Sequence, residues 1–302
     1  MAEHKKFLGL LLVIIGSVAW GASGTVADYM FLTQHIPVIW VVGVRMISAG
    51  ILLLFTYKIM NHQSIFTIWH DRKSIIQLLF FSGFGMLMSQ FCYLSAVNYG
   101  NAATATVLQF TAPVFIIGYY AITRKKWPIR LDVISIVLAV IGTYLLATKG
   151  HFDSLSISAL GLFFGIAAGV ANANCTIIPI DLLNKYDAKL VCGWAMIVGS
   201  LPLQPIVIIK ASQIHFSWAL VIELVFIALI GTMLAYLFYE ASLNYLKPAV
   251  TGTMGSFVPL TATILSIVFL HIDFNLIEIV GAVLILGMAL LQSLPNKNEL
   301  IE

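Results

Sequence analysis

The sequence predicts an all-α integral membrane protein with ten transmembrane helices, arranged as two inverted repeats of five helices. Three observations support this fold class: the composition, ten apolar runs of membrane-spanning length, and a match between the two halves of the chain. Of the 302 residues, 60% are hydrophobic and 10% are charged, and the mean hydropathy is +0.99. Because a soluble domain contains about 25% charged residues, this composition favours a chain that lies almost wholly in a membrane.

Ten apolar runs have roughly the 17 to 25 residues that cross the hydrocarbon core of a bilayer. In chain order they cover residues 7–29, 37–57, 75–97, 102–123, 131–148, 156–179, 190–209, 218–243, 249–270 and 276–294. The loops between them are too short to hold a soluble domain. The first run follows Lys5 and Lys6 and ends in small residues, as a secretory signal does. The nine further runs favour an uncleaved first helix.

The charged loop residues predict the orientation. With the N-terminus in the cytoplasm, only Lys149 and Lys210 face outward. The other loop and terminal cations then face the cytoplasm: Lys5, Lys6, Lys58, Arg72, Lys73, Arg124, Lys125, Lys126, Arg130, Lys185, Lys189, Lys247 and Lys297. This bias follows the positive-inside rule and predicts a multi-pass protein of the cytoplasmic membrane with both termini in the cytoplasm. The net charge of +3 therefore indicates topology and no nucleic-acid partner.

An internal repeat divides the chain. A shift of 146 residues aligns YLSAVNYGNAATATVLQFTAP with YEASLNYLKPAVTGTMGSFVP without a gap, pairing Tyr93 with Tyr239, Asn98 with Asn244, Tyr99 with Tyr245, Ala103 with Ala249 and Pro113 with Pro259. A shift of 152 relates the first run to the sixth. The predicted repeats are 1–150 and 151–302. Because each contains five crossings, the second is upside down relative to the first, an architecture typical of secondary transporters.

Two prolines fall in the middle of the fourth and ninth runs. Pro113 and Pro259 each remove a backbone hydrogen bond, and at membrane depth the freed carbonyl must face protein or a wet cavity. We therefore interpret both as helix breaks beside a cavity. A packing kink is the alternative, since membrane helices tolerate proline.

The chain resembles the drug/metabolite transporter superfamily, specifically its EamA-type ten-span carriers, over essentially its whole length. The resemblance rests on Trp20-Gly21, on Arg45 within VVGVRMISAGILLL, on YLSAVNYGNAATATVLQFTAPVF and on its twin YEASLNYLKPAVTGTMGSFVPLTATILSIVFL. Relatives usually carry an acidic residue in the turns after spans 4 and 9, where this chain has Lys126 and Ile272. The second half also has Ala195 at the position that matches Arg45.

The resemblance implies a secondary transporter that moves a small metabolite by alternating access around a midplane cavity. The leading expectation is export of an amino acid or a related amphipathic compound. An importer or uniporter of a nucleoside, sugar or organic cation is the alternative, and a channel or a structural or receptor protein is the non-carrier alternative.

Polar residues at membrane depth predict the cavity wall, because such side chains normally face the bundle interior. The candidates are Trp20, Arg45, Gln90, Tyr93, Gln109, Asn172, Asn174, Tyr236 and Tyr239. Arg45 can bind an anionic group of the substrate through its planar donor fork, or it can clamp helix-end carbonyls or a buried acid. The aromatic side chains can equally belong to the core or to an interfacial belt.

Glu240 is the candidate for proton coupling. It lies in the cytoplasmic third of the eighth run, and a carboxylate there can load and release a proton. The alternative is a structural partner for Lys247 or for helix-end amides.

Other classes lack support in the sequence. It contains no HExxH, no Gly-x-Gly-Asp and no paired Asp-rich motif, so we expect neither an enzyme nor a metal site. Cys92, Cys175 and Cys192 lie inside apolar runs and are interpreted as small hydrophobic residues. No cofactor is expected, and the partners are a small-molecule substrate and the bilayer. The four-residue spacing from Gly161 to Gly169 permits close helix packing, within the chain or in a homodimer.

Overall fold

The computed structural model describes residues 2–125, 127–151, 156–246 and 248–293. These residues form helices and connecting turns without a strand. The main helices are α1 (Ala2–Gln34), α2 (Val38–Asn61), α3 (Arg72–Tyr99), α4 (Ala102–Arg124), α5 (Arg130–Thr148), α6 (Ala159–Lys185), α7 (Ala188–Ala211), α8 (Trp218–Ser242), α9 (248–270) and α10 (Leu276–Ser293).

Among the described residues, α1 to α9 are each long and apolar enough to cross a membrane, whereas the apolar part of α10, Leu276–Gln292, is shorter. Large apolar side chains also cover the outside of the bundle, and Ile122 and Ile208 are 79% and 72% exposed. An outer surface of this kind suits lipid. The all-α membrane class predicted from composition is therefore confirmed, while the tenth crossing stays a prediction.

The two proline-containing helices are interrupted. The first segment of α4 ends at Gln109 and the second, Ala112–Arg124, has Pro113 as its second residue. The first segment of α9 ends at Met254 and the second, Phe257–Leu270, has Pro259 as its third residue. Proline fits the first turn of a helix because its missing N–H has no intrahelical acceptor there. Each proline therefore restarts a helix after a break of two residues.

Two π-helical segments lie in α3 and α8. They cover Phe81–Leu87 and Phe226–Leu234, and the shift of 146 residues found in the sequence carries the first into the second. Such wide turns are rare and often lie at functional sites. Shorter interruptions follow Ile177 in α6 and span Leu201–Leu203 in α7.

Small residues let the paired helices approach closely. The α5 and α10 backbones meet at Gly142 and Gly281, where a Cβ on either glycine would lie 2.7 or 2.8 Å from the carbonyl oxygen of the other. Both ends of this pair are tied by polar side chains. Lys149 and Glu278 form an ion pair of 3.0 Å, and Gln292 donates to Asp132.

The glycine stripe of α6 packs within the chain. Gly165 faces Leu108, Gly169 faces Thr111, and Gly161 faces the backbone at Tyr99. The close packing predicted for this stripe is therefore made against α3 and α4. The homodimer is untested by these contacts and stays a prediction.

Candidate functional site

A cavity of about 530 Å³ lies among α1 to α4 and α6 to α9. Eight of the nine side chains predicted for the cavity wall line it, namely Trp20, Arg45, Gln90, Tyr93, Gln109, Asn172, Tyr236 and Tyr239. Asn174 is the exception, because its amide donates to the Phe84 carbonyl at 3.1 Å and so joins α6 to the π segment of α3. Neither proline is in the wall, but residues close to the helix breaks, Phe110 and Val258, are.

Equivalent positions of the two halves contribute to this one cavity. Five pairs of lining residues are 146 positions apart: Met86 and Thr232, Gln90 and Tyr236, Tyr93 and Tyr239, Thr106 and Gly252, and Gln109 and Gly255. Two further pairs follow the shift of 152, Trp20 with Asn172 and Ser23 with Cys175. The wall therefore joins matched positions, and in all of these pairs except Tyr93 and Tyr239 the two side chains differ.

The cavity has a deep end and a mouth. Arg45, Tyr93 and Thr106 line its deep end and are 5%, 8% and 0% exposed. Leu183 also lines the cavity and is 42% exposed near the C-terminal end of α6. The cavity therefore runs from the α6–α7 end of the bundle to a closed floor near its middle.

Arg45 is the charged group of the deep end. Its Nε donates to the Thr232 hydroxyl at 2.9 Å, and that hydroxyl donates to the Ile227 carbonyl at 2.8 Å within the π segment of α8. Nη1 of Arg45 is buried without a hydrogen-bond partner among the described residues. The sequence suggested two structural contacts for Arg45, an ion pair with a buried acid and a clamp on helix-end carbonyls. Within the described part of the chain, Arg45 forms neither of them.

Asp28 lies in the floor beyond the deep end, outside the cavity wall itself, and was missed by the sequence reasoning. Its side chain is 1% exposed, and Oδ2 accepts the Ala102 backbone N–H at 2.8 Å. Ala102 is the first residue of α4, and the N-terminus of a helix stabilises an anion. Nearby, the Tyr93 and Thr106 hydroxyls are 3.1 Å apart. The sequence did contain a signal for this residue, because Asp28 is an acid inside an otherwise apolar run.

Glu240 lies at the mouth but outside the cavity wall. Its Oε1 accepts from the Lys189 ammonium at 3.1 Å, and that ammonium is also 3.5 Å from Asp187. Lys247, the partner considered from the sequence, lies outside the described residues. Tyr236, one turn before Glu240, does line the cavity and accepts a weak hydrogen bond from Cys192 at 3.5 Å. Glu240 therefore ties α8 to the start of α7.

Another ion pair at the same end joins α3 to α6. The Lys185 ammonium is 2.7 Å from Asp71, the N-cap of α3. This ammonium and the Ser74 hydroxyl hold the pKa of the Asp71 carboxyl well below its usual range. Asp71 therefore stays ionised at neutral pH, and the tie between α3 and α6 persists there.

Aromatic and sulfur-containing side chains complete the wall. The Trp20 and Tyr239 rings join α1 to α8 with their centroids 5.4 Å apart. The three cysteines are free thiols, and two of them, Cys175 and Cys192, line the cavity. The sequence interpretation as small hydrophobic residues overlooked this position, which depends on which face of each helix turns inward.

The family follows from a match across both halves of the chain. A family model described as the EamA-like transporter family matches residues 7–148 and 159–294. The chain belongs to the EamA-like transporter family. It is thus a multi-pass membrane protein, and the resemblance read from Trp20-Gly21, Arg45 and the two proline-containing blocks is confirmed.

Relatives of this EamA-like chain are named as transporters. A Salmonella typhimurium protein named "uncharacterized inner membrane transporter YicL" is 35% identical over 99% of both chains. The Bacillus subtilis "uncharacterized transporter YetK" is 26% identical over 94% of this chain and 86% of its own length. A Salmonella typhimurium "probable amino-acid metabolite efflux pump" is 22% identical over 95% and 94%.

A solved structure shares the fold. A crystal structure that is 14% identical in sequence covers 96% of each chain with a TM-score of 0.57. At this identity the likeness concerns the arrangement of the helices alone. The EamA-like chain therefore shares its helical architecture with a protein of known structure.

Proposed function

We propose that the protein is a secondary transporter that moves a small amphipathic metabolite across the cytoplasmic membrane by alternating access. The observation that carries the proposal is the cavity of about 530 Å³, which is lined by matched positions of both halves and contains the buried, incompletely paired Arg45. Such a cavity between two related halves suits a carrier, because similar halves can exchange two arrangements of nearly equal energy. Membership of a transporter family supports a non-enzymatic role.

The proposal includes ten crossings in two inverted repeats, 1–150 and 151–302. Three structural features support this division, because each occurs twice with a separation of about 146 residues. They are the π segments in α3 and α8, the breaks in α4 and α9, and the left-handed C-cap residues Lys125 and His271. Family matches to 7–148 and 159–294 give it independent support.

The proposed state is open to the cytoplasm. Both ends of the chain and the mouth beside Leu183 fall on the cytoplasmic side when the loop cations are placed by the positive-inside rule. The floor at Asp28 and Ala102 then separates the cavity from the outside. Alternating access requires this floor to open while the mouth closes.

Amino acids and related compounds are the proposed substrates, and export is the proposed direction. Support comes from the relative named as an amino-acid metabolite efflux pump, at 22% identity. Import or uniport of another small solute is the alternative, because direction depends on the coupling gradient and not on the fold.

Glu240 is the proposed proton carrier. Its ion pair with Lys189 joins α7 and α8 at the mouth, and a carboxylate's proton affinity depends on the charges near it. If the mouth rearranges, Glu240 loses its partner Lys189, and the proton affinity of Glu240 changes. This change couples proton transfer to the conformational change. We expect Glu240→Gln to lose acceleration by an imposed pH gradient in vesicles and to retain exchange without a gradient.

Glu223→Gln is the matched control for this variant. Glu223 is also on α8, but it accepts from Gln34 at 2.7 Å and is not part of the cavity wall. Gradient-driven transport that is unchanged in Glu240→Gln would remove Glu240 from the mechanism.

Counterflow in proteoliposomes tests the carrier proposal itself. Vesicles preloaded with unlabelled solute should take up external labelled solute faster than empty vesicles, with saturation. A channel gives no such trans-stimulation, and a structural or receptor protein gives no uptake. Uptake that is indifferent to internal solute would contradict the carrier proposal.

A further inference from the structure

Arg45 lacks a counter-charge within the cavity wall. It is the one charged side chain among the described residues that line the cavity. It takes part in none of the ion pairs of the described chain, and its buried Nη1 has no hydrogen-bond partner there. Burying a guanidinium without a counter-charge is costly. A ligand that supplies an anion at this point removes that cost.

The carboxylates of Asp28 at the floor and Glu240 at the mouth are already engaged. Asp28 accepts the Ala102 N–H, and Glu240 accepts from Lys189. Neither lines the cavity. The described wall therefore offers an anion a strong site and offers an ammonium group no carboxylate.

The rest of the wall accepts an apolar body with a few hydrogen bonds. Aromatic and apolar side chains are Trp20, Phe81, Met86, Phe110, Met196 and Val258. The amides of Gln90, Gln109 and Asn172 provide neutral polar contacts. A volume of about 530 Å³ falls in the range of small-molecule sites.

We propose that this cavity selects organic monocarboxylates that have an apolar or aromatic body and lack an ammonium group, with Arg45 as the anion site. The inference rests on the proposed transport function and narrows its substrate class from amino acids to their deaminated relatives. In an amino acid, the α-ammonium group is attached directly beside the carboxylate. When Arg45 binds the carboxylate, this ammonium group would therefore be held close to the guanidinium, with no protein carboxylate in the described wall to pair with it.

Four probes with one phenyl ring separate the charge requirements. They are 3-phenylpropionate, L-phenylalanine, 3-phenylpropanamide and phenethylamine, and the first two differ only in the α-ammonium group. Binding to the purified full-length protein is measured by titration calorimetry. We expect 3-phenylpropionate to bind at least about tenfold more tightly than each of the others, a difference of about 1.4 kcal/mol.

Variants of Arg45 assign the preference to this side chain. Arg45→Gln should bind 3-phenylpropionate no better than 3-phenylpropanamide, and Arg45→Lys should keep the acid ahead of the amide. Arg130→Gln, which removes an exposed cation at the start of α5, should bind like the wild type. If Arg45→Gln does not fold, the affinity ranking of the four probes on the wild type and the acid-over-amide preference of Arg45→Lys still test the inference.

The outcomes separate this inference from the proposed function. Tighter binding of L-phenylalanine than of 3-phenylpropionate, or binding of none of the four probes, would overturn the inference. Counterflow driven by L-phenylalanine and not by the acid would also overturn it and would leave the carrier proposal intact. Binding of the acid without any counterflow would contradict the carrier proposal and leave the anion preference standing.

Discussion

Thr232 holds Arg45 in the cavity. A π segment places this threonine on α8 so that its hydroxyl accepts a hydrogen bond from the Arg45 Nε–H and donates one to the Ile227 carbonyl. With Nε fixed, the remaining guanidinium nitrogens stay available to a ligand. A hydrogen bond to a charged group contributes roughly 1.5–3 kcal/mol. Thr232 is therefore a positioning residue for the anion site.

We predict that Thr232→Val weakens the binding of 3-phenylpropionate by about tenfold or more. Valine keeps the shape of threonine but cannot accept the Nε–H. Thr232→Ser is the matched control, because it keeps the hydroxyl and should bind within about twofold of the wild type. Titration calorimetry measures both, and equal affinities for the two variants would contradict the positioning role.

Several residues of the cavity wall could be placed from the sequence alone. Arg45, Gln109 and Tyr239 could be placed in the wall because polar groups at membrane depth avoid lipid. The same rule could have singled out Asp28 as a buried acid, but its role depends on a partner, the Ala102 amide, that is 74 positions away in the chain. Contacts of this range depend on how α1 meets α4, and no local pattern encodes that.

The broken helices are the principal elements around the site. In α4 and α9 the chain leaves the helix for two residues and restarts one residue before Pro113 and two residues before Pro259. Phe110 and Val258, near the two breaks, reach the cavity. Breaks at matched positions can act as hinges for both halves, because residues at element ends absorb dihedral changes at low cost.

We predict that replacing both Pro113 and Pro259 by alanine slows counterflow by about tenfold or more, equivalent to a barrier about 1.4 kcal/mol higher. Alanine restores a backbone donor and favours continuous helices, which resist bending at the breaks. The fractional loss of stability, measured by thermal unfolding, should be smaller than the fractional loss of the exchange rate.

Pro202→Ala is the control for the paired prolines. Pro202 also lies at a helix interruption, within Leu201–Leu203 of α7, but it has no proline partner in the first half. It should leave exchange near the wild-type rate. Parallel losses of stability and exchange in the paired variant would reduce Pro113 and Pro259 to packing residues.

Elements were predictable to different degrees. The prolines identified the breaks in α4 and α9 because proline cannot continue an i to i−4 ladder. The π segments in α3 and α8 carry no such mark, since their sequences FSGFGML and FIALIGTML are also compatible with an α-helix. In the α8 segment the Thr232 hydroxyl donates to the Ile227 carbonyl five residues earlier and accepts from Arg45 of α2, and the second of these contacts depends on tertiary packing.

The cavity is closed at one end only, although matched sequence positions line it from both parts of the chain. Its floor is sealed by Asp28 on the α4 amide and by the Tyr93–Thr106 contact, while its mouth extends to the exposed Leu183. Sequence patterns predicted the membrane class and the repeat, because both depend on composition and register. They could not predict which end is open, since two arrangements of similar energy share one sequence.

Cys175 offers a native probe of this cavity. It lines the wall at the position that matches Ser23, whereas Cys92 is buried and outside the wall. In a Cys92→Ser/Cys192→Ser protein, Cys175 is the single thiol of the chain. Membrane-impermeant maleimide should therefore label this protein in inside-out vesicles, and adding Cys175→Ser to the same background should leave the protein unlabelled.

Protection of Cys175 during counterflow tests the central claim most directly, that this cavity is the transport path. The account predicts that labelling Cys175 stops exchange in proportion to the labelled fraction, and that saturating transported solute slows the labelling. The Cys175→Ser protein should exchange normally after the same treatment. Full exchange by a completely labelled protein, with no protection by solute, would contradict the account.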